Sequence, residues 1–160
     1  MKNYLKTILV CCVVGALTVV GAQAQGVSDN VTHVLPNSTI SVDPTTGVDL
    51  DFTRLTPGSY AFIEMYDEKG TAFTFKVERK ENLKLAVSAD TNTLDDIKSN
   101  TTINFMGKGK LFRSVNLTEL SNRRCGLWCI IVHICCVHIH IGPPGNTWEW
   151  SCSNCQGGIE

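Results

Sequence analysis

The chain has 160 residues, 8 cysteines and a formal net charge of −1 with neutral histidines. Residues 25–124 carry 12 Lys and Arg against 13 Asp and Glu, and residues 125–160 carry none against two, Glu149 and Glu160. That balance offers no clustered positive face for nucleic acid, and an anionic membrane is an equally poor partner unless histidines protonate.

Residues 1–24 follow the three-part pattern of a secretory signal. Lys2 and Lys6 come first, 7–20 is an uncharged apolar run, and Ala22-Gln23-Ala24 puts small residues at the cleavage positions. A spanning helix needs ~20 apolar residues, more than this run supplies, so removal after Ala24 is expected and the mature chain is read as secreted and extracellular. Export permits disulfides and makes an even cysteine count meaningful. Six cysteines survive the cut, Cys125, Cys129, Cys135, Cys136, Cys152 and Cys155, all in the last 36 residues. All six are expected in disulfides. The ~135 mature residues suit one small domain with a tail.

The middle region reads as mostly β. Residues 39–42 and 48–52 form short strands around the turn-forming Asp43-Pro44-Thr45-Thr46-Gly47, and Pro57-Gly58 punctuates again. Residues 59–66 and 71–77, the latter with alternating Phe73, Phe75 and Val77, flank a hairpin loop at Asp67-Glu68-Lys69-Gly70. Leu83, Leu85 and Val87 alternate in turn. Thr93 is placed to cap a helix through Leu94, Asp95, Asp96 and Ile97, and residues 101–105 and 110–115 add two strands around Gly107 and Gly109. Nothing here points to catalysis, and the chain is read as no enzyme. His33, the region's lone histidine, stands beside an apparent loop and is expected to be a solvated residue rather than a base. Asn30, Asn37, Asn100 and Asn116 each begin an Asn-x-Ser/Thr sequon, a glycan site in a eukaryotic secreted chain.

The tail has different physics. Between Arg124 and Glu149 there is no formal charge, and residues 130–141 are β-branched, uncharged and free of Pro and Gly, the composition of cross-β segments. Gly142-Pro143-Pro144-Gly145-Asn146 is a turn, and Thr147-Trp148-Glu149-Trp150 returns as a strand. Folding about that turn sets Cys152 across from Cys135 or Cys136 and Cys155 near His133, so a disulfide-stapled hairpin is expected. A metal site is the alternative. Cys136, His138 and His140 share one face of a strand, Cys125-x3-Cys129 with Cys152-x2-Cys155 would suit a four-thiolate zinc site, and thiolates with imidazoles suit Cu(I). Exported thiols oxidise, so disulfides are expected over metal, and no cofactor is expected.

Arg123-Arg124 stands immediately before Cys125, and cutting there by a processing protease would release all six cysteines in one peptide. Middle and tail together resemble the BRICHOS-domain precursors, such as the chondromodulin, gastrokine and marine-worm antimicrobial peptide precursors. Tyr66-Asp67-Glu68-Lys69-Gly70-Thr71-Ala72-Phe73 looks like that family's Tyr/Phe-Asp strand and turn, and Leu94-Asp95-Asp96-Ile97 falls where its helix follows. Leu120-Ser-Asn-Arg-Arg-Cys125-Gly126-Leu127-Trp128-Cys129-Ile130 is similar to its closing Leu-Cys-Gly…Ile stretch. The family's first cysteine, expected near Asn82, is absent, so the domain's usual disulfide cannot form. The resemblance implies an intramolecular chaperone that shields an aggregation-prone segment until processing.

The expected fold is therefore α+β and mainly β, a small antiparallel sheet with one or two helices followed by a Cys-rich β-hairpin tail. Residues 1–24 are the signal peptide, 25–124 the BRICHOS-like prodomain and 125–160 the stapled peptide. The prodomain's partner is its own C-terminal segment, and the peptide's is a membrane or a receptor. Host defence is one expected role for the peptide. Its charge of −2, or +1 with His133, His138 and His140 protonated, fits a toxin-like or signalling ligand at least as well. An unprocessed secreted Cu/Zn-binding protein is the alternative from another class.

Overall fold

A computed structural model describes residues 31–66, 70, 72–81, 83–89, 100–121, 131–143 and 147–152. In chain order the strands are β1 (Val31–His33), β2 (Thr39–Val42), β3 (Val48–Asp51), β4 (Tyr60–Tyr66), β5 (Ala72–Arg79), β6 (Leu85–Ala89), β7 (Thr102–Gly107), β8 (Lys110–Asn116), β9 (Val132–Ile134), β10 (His138–Gly142) and β11 (Thr147–Cys152). The helix among the described residues, α1 (Leu117–Ser121), is one turn that follows β8. Asn116 caps it, its Oδ1 accepting from the Thr118 and Glu119 amides at 2.9 and 3.3 Å. A glycan on Asn116 would compete with that cap.

The strands form two sheets, β1-β3-β10-β11-β7-β8 and β2-β4-β5-β6-β9. Alternation writes one apolar face onto each. Phe73, Phe75 and Val77 of β5 and Leu85, Val87 and Ala89 of β6 are buried, while Thr74, Lys76, Ala86 and Ser88 between them face outward. Ile103, Phe105, Ile139, Ile141, Trp148 and Trp150 supply the facing layer. Trp150 joins the two, its ring centroid 5.1 Å from Phe75 in the opposite sheet and 5.7 Å from Phe105 on the adjacent strand.

Turn chemistry holds where Gly is demanded. Gly58, at φ +85, follows Pro57 and lets the Ser59 amide close on Thr56 O at 2.9 Å. Lys108 and Gly109, both at positive φ, make the tight turn between β7 and β8.

This architecture corrects the expected fold class. The described chain is a β-sandwich of two mixed sheets, not a small antiparallel sheet with one or two helices and an appended hairpin. The helix expected over 93–97 lies outside the described residues. Three pairings are parallel, β1 with β3, β2 with β4, and β11 with β7. The first two follow from alternation of the chain between sheets, which returns β3 beside β1 and β4 beside β2.

The tail's hairpin exists, with β10 and β11 antiparallel about residues 143–146, but it is not separate. It is inserted between β3 and β7, in the middle of its sheet. The run 130–141, expected as one strand, splits. β9 closes the edge of the second sheet against β6, the chain crosses at Cys135-Cys136-Val137, and β10 enters the first. Val137 O accepts from the Phe52 amide at 2.7 Å and anchors that crossing.

Candidate binding surface

The outer face of the first sheet gathers three imidazoles and two carboxylates from three strands. Register sets them in rows. Asp51 of β3 lies between His33 of β1 and His138 of β10, and Asp49 lies opposite His140, which in turn faces Ser151 of β11. His33 Nδ1 is 2.8 Å from Asp51 Oδ2, His138 Nδ1 is 3.9 Å from Asp51 Oδ1, and His140 Nδ1 is 2.7 Å from Asp49 Oδ1.

Asp51 is 5% exposed, a buried carboxylate under half-exposed imidazoles. Burial works to raise its pKa. Hydrogen bonds from the Thr53 side chain and amide, the charge of His138 and the hydrogen bond from His33 together outweigh burial, and hold the carboxyl below its ordinary value. A depressed carboxylate contributes stability that is complete above the unfolded carboxylate range, about pH 4, and is lost as pH falls through the folded value. Urea titrations of wild type and Asp51→Asn should therefore differ most at neutral pH and converge in acid. A gap independent of pH would show that the ionised carboxylate contributes nothing.

His140 has a shaped seat. A Cβ on Gly47 or on Gly142 would meet its ring at 2.7 Å, so both positions keep the ring down beside Asp49.

The row Asp49–His140–Ser151 has the residue types of a hydrolase triad without the geometry. Among the described residues no hydrogen bond joins Ser151 to His140, and the sheet's interior amides are committed to the ladder, which leaves no oxyanion donors. Nor does the strip make a metal centre: among the described residues no three His, Cys, Asp or Glu side chains converge as ligands do.

The cysteines divide. Cys136 and Cys152 form a disulfide, Cα to Cα 6.1 Å, one of the two pairings the turn permits. Cys135 is a free thiol, against the expectation that all six pair. Cys125, Cys129 and Cys155 lie outside the described residues, as do Ala24, Arg123 and Arg124. The four-thiolate zinc site loses Cys152 to the disulfide, and Cys136 does not share the face of His138 and His140, because it is buried in the crossing. The bridge closes a loop of sequence separation 16. Replacing both cysteines by Ala should lower unfolding free energy by about 3 kcal/mol in urea melts under oxidising conditions.

His33 is solvent-exposed and lies beside a loop as expected, but it ends a strand and is bonded to a buried carboxylate. No local signal foretells this, for Asp51 is brought to it by long-range pairing. Protonation of His138 and His140 meets Asp51 and Asp49, so it balances existing negative charge instead of creating a free positive surface. His133, by contrast, faces outward from the second sheet. There Ala86 and Ser88, small residues, floor a groove of about 350 Å³ between Lys76 and Glu78 on one side and Ile131 and His133 on the other.

No helix among the described residues is long and apolar enough to cross a membrane. Comparison with protein-family models, curated proteins and solved structures finds no match to this chain.

Proposed function

We propose that this is an exported, non-catalytic β-sandwich that works with its cysteine-rich ending in place. In this reading residues 25–124 shield the β-prone ending in a chaperone-like sense, in cis, by supplying the strands on either side of it. The supporting observation is the position of β10 and β11 between β3 and β7, which leaves neither edge of the hairpin open to another chain. The imidazole–carboxylate strip is then the polar surface offered to a receptor. The BRICHOS resemblance stands as a proposal on the residues quoted for it, and agrees with the shielding role.

The place of Arg123-Arg124, immediately before the cysteine cluster, favours a second reading. There a processing protease frees residues 125–160 as a host-defence, toxin-like or signalling peptide, and the two pieces part.

Two measurements test these readings. Residues 125–160 made alone should aggregate, and residues 25–124 supplied in trans should relieve it; equal solubility in both cases refutes shielding. The mass of the native secreted protein separates the readings. A chain running from Gln25 to Glu160 supports the first, and a species beginning at Cys125 supports the second.

A further inference from the structure

Arg79 ends β5 in phase with Phe73, Phe75 and Val77, so its side chain is directed to the inner face of the sheet. It is 8% exposed, and register puts it in the row with Leu85 and Ile134, both buried and apolar. The backbone there is held to the segment leading into β4: the Arg79 amide donates to Ser59 O at 2.8 Å, and Arg79 O accepts from the Gly58 amide at 2.9 Å. These bonds keep the strand end in the sheet.

Arginine in such a row ordinarily lays its stem on the apolar surface and keeps its head in water. This one departs from that habit at Nη1, which is fully buried and has no hydrogen-bond partner among the described residues. The nearest carboxylate in sequence is already engaged, since Glu78 lies on the outer face and pairs with Lys76 and Lys80. A guanidinium nitrogen removed from water without an acceptor is unfavourable, and the group does not escape by deprotonating. Its planar fork matches an oxyanion, with parallel N–H donors and a fixed charge.

We infer that Arg79 is the anchor of a small-oxyanion site, for a carboxylate or a phosphate, at the rim of the sandwich beside the Pro57-Gly58 turn. This site is independent of the imidazole strip, which lies on the outer face of the other sheet.

The test uses the oxidised chain 25–160, with inorganic phosphate and acetate titrated at ionic strength held constant with sodium chloride. Tm of wild type should rise steadily with phosphate or acetate concentration. Arg79→Met, which keeps the stem and removes the charge, should lose the rise altogether, and Arg79→Lys should keep only a small part of it. Should Arg79→Met fail to fold, the wild-type arginine Nε–Hε resonances decide: that of Arg79 should shift on titration while those of Arg54 and Arg113 stay. A phosphate response equal to that of chloride, or an unmoved Arg79 resonance, overturns the inference. A structural water accepting from Nη1 predicts that second outcome.

Discussion

Trp150→Ala should destabilise the whole described sandwich as one unit, not merely loosen its ending. The indole is wholly buried and packs at a tilt against Phe75 across the interface and Phe105 alongside. Removing a buried Trp costs about 3–5 kcal/mol, against a total stability of about 5–15 kcal/mol for a domain. The indole Nε1 has no hydrogen-bond partner among the described residues, so deletion recovers a little of that loss. What makes the variant informative is where Trp150 lies. Were residues 125–160 an independent hairpin, its loss would leave β1 to β8 untouched. In the sandwich it removes the contact that joins the two layers. Urea melts followed by far-ultraviolet circular dichroism and by amide exchange in β4 and β5 should therefore move together. Protection retained in β4 and β5 would mean that the ending is dispensable to the fold.

Cutting the peptide bond after Arg124 should leave the two pieces associated. Without β10 and β11 the first sheet falls into two fragments, β1-β3 and β7-β8, each exposing an apolar face and an open edge. The C-terminal piece would likewise expose Ile139, Ile141, Trp148 and Trp150. Both fragments lose by parting, so strand pairing on either side of the hairpin holds them without a covalent link. The Cys136–Cys152 bridge lies inside the C-terminal piece and does not join it to the remainder. Size-exclusion chromatography of nicked protein should give one peak at the intact mass, resolving into two only in denaturant. Separation in plain buffer would favour the peptide-release reading over the one proposed here.

Much of the strand pattern was legible locally. Residues 39–42 and 48–52 match β2 and β3 closely, and the alternation of Phe73, Phe75 and Val77 marked β5 because a half-buried strand repeats every two residues. The tail was legible in its turn and in one disulfide partner, Cys152, but not in its placement. A hint was present. A two-stranded hairpin with a single apolar face is marginal in water, so Ile139, Ile141, Trp148 and Trp150 required a covering layer from elsewhere. The run 130–141 misled because its composition is apolar throughout, which hides the change of sheet at Cys135-Cys136-Val137. The exposure of His33 was legible, but its bond to Asp51 was not, because a three-residue edge strand carries too little pattern to reveal its pairing.

Local conformation was the sequence's to determine: which residues extend, which turn, and which side of each strand is apolar. These follow from sterics and from a two-residue repeat, both of which act over a few neighbours. Only the tertiary structure decided which strands lie side by side, because β3 beside β10 and β11 beside β7 join segments distant in the chain and are selected by how two apolar faces close on each other. The same closure assembled His33, Asp51 and His138 from three separate segments and sealed Arg79 inside.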